Sequence, residues 1–144
     1  MGRLIDEPVS LRDLPATVLD LLGLGRGGAF PGRSLARFWN LADGEGPPAF
    51  EPLLMETDRP TLLTNQGREP VAKGPMKAMV AGGMHYIRSG NGGEELYALN
   101  SDPGEQTDAA GLPEAQEVLE GFRRGLRSML QREPKVALSS TTPR

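Results

Sequence analysis

The sequence predicts an α+β fold, with a small antiparallel sheet of three or four strands packed against a long C-terminal helix and a shorter helix ahead of the sheet. Three observations predict it. Glycine-bounded turns divide residues 76–100 into short alternating runs. An apolar stripe recurs at helical spacing from Pro113 to about Gln131. A leucine-rich pattern of the same period occupies residues 10–23.

The meander is the firmest of these. Two runs meet at Gly82-Gly83, and a third follows Gly90-Asn91-Gly92-Gly93. Glycine pairs supply the positive φ that tight hairpins require. In Met84–Ser89, Met84, Tyr86 and Arg88 point one way while His85, Ile87 and Ser89 point the other. In Glu94–Asn100, Glu95, Tyr97 and Leu99 alternate with Leu96 and Ala98. Asp102-Pro103-Gly104 then forms a turn that ends the last strand.

In the first third, Ser10 and Asp13 have the spacing of a capping box, and Val9 and Leu14 that of a hydrophobic staple. Pro15 conflicts with a cap at Ser10, because it lacks an N–H deep in the first turn. A cap at Asp13 removes the conflict and places Pro15 within the first turn. Leu11, Leu14, Val18, Leu21 and Leu22 recur at helical spacing, and Gly23 is a natural C′ residue. Gly23 to Gly28 satisfies G-x-G-x-x-G, with Asp43 as a candidate ribose-binding acid. That motif binds a dinucleotide only between a strand and a helix, and here it follows a helix, so it reads as an exit loop. Ser34 caps a short turn in which Leu35, Phe38 and Trp39 share a face, with Trp39 expected to anchor the segment.

Residues 40–52 are rich in Gly, Pro and acids and read as a join, followed by a short strand at Pro52–Glu56. The irregular stretch 57–75 reads as a loop, with Arg68, Lys73 and Lys77 as its basic patch. In the C-terminal helix, Val118, Leu119, Phe122, Leu126, Met129 and Leu130 make the apolar stripe. Acids gather early and arginines late, which complements the helix dipole, and Glu120–Arg124 has favourable pair spacing. Gly121 and Gly125 weaken the helix but allow close approach to the sheet. Residues 133–144 read as a disordered polar tail.

Composition narrows the function classes. The 19 Gly and 13 Pro imply extensive turn and loop. A net charge of −3 gives no reason to expect nucleic acid or anionic lipid as a partner. The absence of Cys excludes disulfides, a Cys-based zinc site and a cysteine nucleophile. No apolar run approaches the roughly 20 residues of a membrane span, and MGRLIDEPVS has no signal-peptide pattern, so a soluble chain is expected.

Tyr86-Ile87-Arg88, a glycine-rich turn, Glu94-Glu95-Leu96-Tyr97-Ala98-Leu99 and Asp102-Pro103-Gly104-Glu105 together resemble the C-terminal signature of the sulfatases. These are metal-dependent hydrolases of the alkaline-phosphatase superfamily. Asp13-Leu14-Pro15-Ala16-Thr17, Leu21-Leu22-Gly23-Leu24 and Gly32-Arg33-Ser34-Leu35 are similar to earlier elements of the same family. Three positions depart from the pattern: His85 stands where Lys is common, Ala98 where Asp is usual, and Asp108-Ala109 where Asn-Leu is usual.

The resemblance implies a division of the chain. Residues 1–46 would be the last elements of a larger α/β catalytic domain, including its leftover helix, and 47–132 a C-terminal sheet-and-helix subdomain. It also implies sulfate-ester hydrolysis, with phosphate or phosphonate esters as the alternative substrates. The complete family enzyme would use calcium and a formylglycine made within Cys/Ser-x-Pro-x-Arg. This sequence contains no such motif, no Asp-Asp and no Asp-Asn. The expectation is therefore an inactive portion with no catalytic or metal-binding residue of its own, whose partner is the missing N-terminal catalytic domain. His85, Arg88 and Lys73 are the residues expected to border substrate in a complete protein. His85, the single histidine, is expected to face solvent or the long helix. A free-standing interaction module that docks through the 10–23 helix is the non-enzymatic alternative.

Overall fold

The computed structural model describes residues 5–24, 30–39, 51–57 and 73–132. The chain divides into two compact units, Met1–Leu53 and Leu54–Arg144. Expectations for the glycine run 25–29, the join at 40–50, the loop with Arg68 and the tail from 133 lie outside the described residues.

The first unit holds helix α1 (Asp13–Leu21) and a 3₁₀ turn (Leu35–Phe38). Asp13 is the first helical residue rather than its cap; Arg12 holds the cap position, and its side chain does not cap the helix. The reason is that the Asp13 carboxylate is engaged elsewhere. One oxygen accepts the Ser10 N–H at 3.2 Å and the other accepts the Arg33 N–H at 2.9 Å. The Ser10–Asp13 box thus closes from its acid side alone. At the other end Gly23, at φ +71°, accompanies a Leu24 N–H bond to the Leu19 carbonyl at 2.8 Å and a Gly23 N–H bond to that of Asp20 at 3.0 Å. This pair of bonds is a Schellman motif, as the glycine suggested.

Burial on α1 falls on polar residues. Asp13 and Thr17 are the buried residues of α1, whereas Leu11, Leu14, Val18, Leu21 and Leu22 are 52–84% exposed. The polar pair is drawn inward because the extended segment beside it needs partners for its N–H groups. Thr17 Oγ1 accepts the Leu35 N–H at 2.8 Å and donates to the Asp13 carbonyl at 2.6 Å. Ser34 caps the 3₁₀ turn through the Ala36 N–H, as its position implied. Trp39 is not an anchor: it is 64% exposed, and Phe38 is buried in its place beneath the Arg37 guanidinium.

The second unit carries β1 (Leu53–Thr57), β2 (Met76–Ala81), β3 (Met84–Ser89), β4 (Glu94–Ala98) and α2 (Gln116–Arg132). The strands form one sheet in the order β1-β2-β3-β4. Ala81 pairs with Met84 across Gly82-Gly83, whose φ values of +57° and +74° suit a two-residue turn. Register then places Met79, Tyr86 and Leu96 side by side on one face. Pro113–Ala115 form a 3₁₀ turn that leads into α2.

Ala115, Leu119, Phe122 and Leu126 of this segment meet Met79, Tyr86 and Leu96 in a single core. Tyr86 and Phe122 stack with ring centroids 5.6 Å apart. Val118, expected in the stripe, is 41% exposed, because Ala115 takes the place on the sheet-facing ridge. The two helix glycines differ. A Cβ on Gly125 would lie 2.9 Å from the Met79 methyl, whereas one on Gly121 would meet nothing within 4 Å. Gly121→Ala is therefore expected to raise the stability of the second unit by about 0.5–1 kcal/mol in urea unfolding. Gly125→Ala gains less, because Met79 has to move.

Beyond β4, the Leu96 N–H donates to Asp108 Oδ1 at 2.9 Å, and the Leu96 carbonyl accepts the Ala109 N–H at 2.8 Å. Asp108 Oδ1 also accepts the Ala110 N–H at 2.8 Å. An Asn at this position offers the same side-chain carbonyl oxygen, so the departure at residue 108 preserves the contact.

Candidate functional site

The sheet sorts its polar residues onto two faces. Alternation sends Tyr86, Arg88 and Glu94 to the face that packs on α2, and His85, Glu95 and Tyr97 to the opposite one. Two networks result, one on each side.

On the helix side, the Tyr86 hydroxyl donates to Glu94 Oε1 at 2.5 Å, and Arg123 Nε donates to both Glu94 oxygens at 2.9 and 3.1 Å. Arg123 also bonds Glu120, three residues away, which replaces the expected Glu120–Arg124 pair. The Arg123 hydrogen bonds hold the Glu94 carboxyl down at about 2, with burial acting against them. Burial, then the bond to Glu94, pushes the Tyr86 phenol up to about 12.

Because folding lowers the Glu94 pKa from 4.5 to about 2, its contribution to stability is complete above pH 4.5 and is lost as pH falls toward 2. Glu94→Gln is expected to flatten that part of the acid limb, read as the urea midpoint against pH. An unchanged acid limb would show that Glu94 gains nothing from Arg123 on folding.

On the opposite side, Glu95 accepts Lys73 Nζ at 2.9 Å and the Tyr97 hydroxyl at 2.8 Å. Lys73 and then Tyr97 lower the Glu95 pKa, and the bond to Glu95 pushes Tyr97 up to about 12. His85 Nδ1 lies 2.7 Å from Glu105 Oε1, and its Nε2 is buried with no hydrogen-bond partner among the described residues. Glu105 reaches it from the turn after β4, where its backbone is left-handed at φ +53°. Asp102 shapes that turn by accepting the Gln106 and Thr107 N–H groups at 3.1 and 2.8 Å.

Of the three residues expected to border substrate, the fold brings together two. His85 and Lys73 both approach Glu95, while Arg88 lies on the other face, opposite Glu94. His85 faces neither open solvent nor α2: its side chain is 15% exposed and turned toward Glu105. Lys77, from the predicted basic patch, pairs with Glu56.

What the sequence did not show is the bridging role of Asp13, Thr17, Glu94 and Arg123. The i,i+4 spacing of Asp13 and Thr17 was a readable signal; the Glu94–Arg123 contact, 29 residues apart, had none. Among the described residues, no three His, Asp or Glu side chains come together in a group able to hold a metal ion. They do not fit a calcium site, which needs about six converging oxygens. Among them also, no helix is long and apolar enough to cross a membrane.

No protein-family model matches the sequence, and no curated protein does. Solved structures do. A putative sulfatase from Bacteroides thetaiotaomicron matches with a TM-score of 0.64 at 23% identity, over 83% of this chain and 24% of that one. The phosphonate monoester hydrolase of Agrobacterium radiobacter matches with a TM-score of 0.66 at 20% identity, over 90% of this chain and 26% of that one. A 2-O GAG sulfatase matches with a TM-score of 0.62 at 24% identity, over 83% and 24% of the two chains. A meander under one long helix, preceded by a small helical unit, is thus a fold this chain shares with part of the sulfatases and of a phosphonate hydrolase. The chain spans about a quarter of the length of the solved structures it matches.

Proposed function

We propose that this chain is the C-terminal portion of a sulfatase-type ester hydrolase, where it closes one side of the catalytic domain and shapes access to substrate. One observation carries the reading: the fold match extends over 83–90% of the chain. The sequence motifs that resemble the sulfatases supply the direction, because they are C-terminal in that family. Residues 1–46 are then the last elements of the α/β domain and 47–132 the C-terminal subdomain. The partner is the catalytic domain itself, which carries the calcium and the formylglycine that supply the nucleophile and hold the anionic ester.

The chain alone turns over no ester on this reading, having no Cys and no Ser-x-Pro-x-Arg. His85 and Lys73, with Arg88 on the other face, border the substrate pocket of the complete protein. Sulfate esters are the preferred substrates. The match to a phosphonate monoester hydrolase favours phosphonate or phosphate esters as the second reading.

The coding sequence upstream of Met1 tests the proposal. An in-frame Cys/Ser-x-Pro-x-Arg with an Asp-Asn pair supports it, and an upstream sequence lacking both overturns it. Turnover of an aryl sulfate by the purified chain with calcium would overturn the claim of inactivity. His85→Ala in the complete protein is expected to change kcat/KM across a panel of sulfate and phosphonate esters; no change would remove His85 from the pocket wall.

A further inference from the structure

The helix dipole does not account for all the charge on α2. It acts within the first and last turns, and Glu120, Arg124 and Arg127 lie between them. At 100° per residue, Glu117, Glu120, Arg124 and Arg127 fall within about 80° of one another, on the side of the helix away from Leu119, Phe122 and Leu126. All four are exposed. Their order, two acids and then two bases, is mirrored about Phe122: Glu120 and Arg124 each lie two residues from it, and Glu117 and Arg127 five.

Within the chain these charges go largely unmatched. Glu120 accepts a bond from Arg123 through Oε1, which draws it away from Arg124. Among the described residues Glu117, Arg124 and Arg127 make no ion pair. A row of charges that changes sign at its midpoint complements itself when reversed. A second copy of α2, laid antiparallel across a two-fold axis level with Phe122, sets Glu117 against Arg127 and Glu120 against Arg124, twice each. A purely acidic or purely basic surface would instead meet like charge along half of the row.

We infer that the exposed charged face of α2 is a homodimer interface, in which two helices pair antiparallel through these four residues. The seam runs only about 15 Å from Glu117 to Arg127. A single helix face is small beside the roughly 1,200 Å² of a standing interface, and exposed ion pairs are individually weak. The dimer is therefore in exchange with the monomer and is held by charge. It stands whether or not the chain belongs to a hydrolase.

Sedimentation equilibrium of the purified chain is the test. In low salt the wild type is expected to pass from monomer to dimer as concentration rises. At about 1 M salt, where the screening length falls to about 3 Å, it is expected to stay monomeric. Glu117→Arg and Arg127→Glu each set like charges against one another twice in their own dimer, and each is expected to weaken association about tenfold or more. An equal mixture of the two variants restores every pair, as does a chain carrying both changes, and both are expected to associate as the wild type does. Neither side chain belongs to the core, and a thermal transition like that of the wild type checks that each variant folds. If a reversed variant unfolds, Glu117→Gln and Arg127→Gln replace the pair, and each is expected to weaken association by removing two contacts. A wild type that stays monomeric in low salt overturns the inference, whatever then faces the seam. So does a dimer that survives high salt, a folded single variant that associates as the wild type does, or a mixture of the reversed variants that fails to recover.

Discussion

Gly32→Ala is expected to unfasten α1 from the segment that follows it. A Cβ at residue 32 would lie 1.9 Å from the Arg12 carbonyl oxygen, 2.4 Å from its carbon and 2.8 Å from the Asp13 nitrogen. All three are backbone atoms, so no side-chain rotation relieves the overlap. The segment has to retreat, and retreat breaks the Asp13–Arg33 and Thr17–Leu35 hydrogen bonds together. Both acceptors are then left buried without their donors, at about 1–3 kcal/mol each. The expected result is loss of hydrogen-exchange protection across α1, with the amides of β3 as reference. Protection of α1 equal to that of the wild type would show that residue 32 does not approach the helix start.

The second large effect is expected from Leu126→Ala. Leu126 is 1% exposed and sits among Met79, Tyr86, Phe122 and Leu119 in the single core of the second unit. Truncation removes its transfer free energy and leaves a cavity between a helix and a sheet that are both tied in place, at about 2–5 kcal/mol. For a unit of this size a loss of that order lowers Tm by roughly 10–25 °C. The Arg123–Glu94 bonds hinder collapse of α2 into the space, so the upper part of that range is expected, read by differential scanning calorimetry. Val118→Ala, on the exposed side of the same helix, is the comparison and is expected to change Tm little.

These two positions also mark how far the sequence could be read. Alternation and glycine pairs located β2, β3 and the start of β4, because period-two burial and the positive φ of a tight turn are local properties. The helical stripe located Leu119, Phe122 and Leu126 for the same reason, and erred at Val118, where the arc was drawn too wide. In the first unit local reasoning located the helix but not its buried edge. That edge is polar, because the neighbouring chain needs hydrogen-bond acceptors, and Asp13 and Thr17 supply them. That demand comes from residues 18–20 positions away and leaves no mark on the period.

The polar networks follow the same division. The Tyr86–Glu94 contact joins neighbouring strands and is implicit in the hairpin once the register is known. Arg123 enters from α2, and its partner depends on how the helix crosses the sheet, which no spacing encodes. The His85–Glu105 contact was half visible. The Asp102-Pro103-Gly104-Glu105 turn was legible, but the left-handed backbone that swings Glu105 across to β3 was not.

The bonds made by Leu96 with residues 108 and 109 bear on behaviour at high concentration. They occupy the donor and acceptor through which an incoming strand would latch onto that rim of the sheet. Stacking of copies into fibrils is therefore opposed on that flank by the Asp108 carboxylate together with the Ala109 amide. Asp108→Ala, by removing the acceptor, would leave the Leu96 amide open to recruitment by a neighbouring molecule.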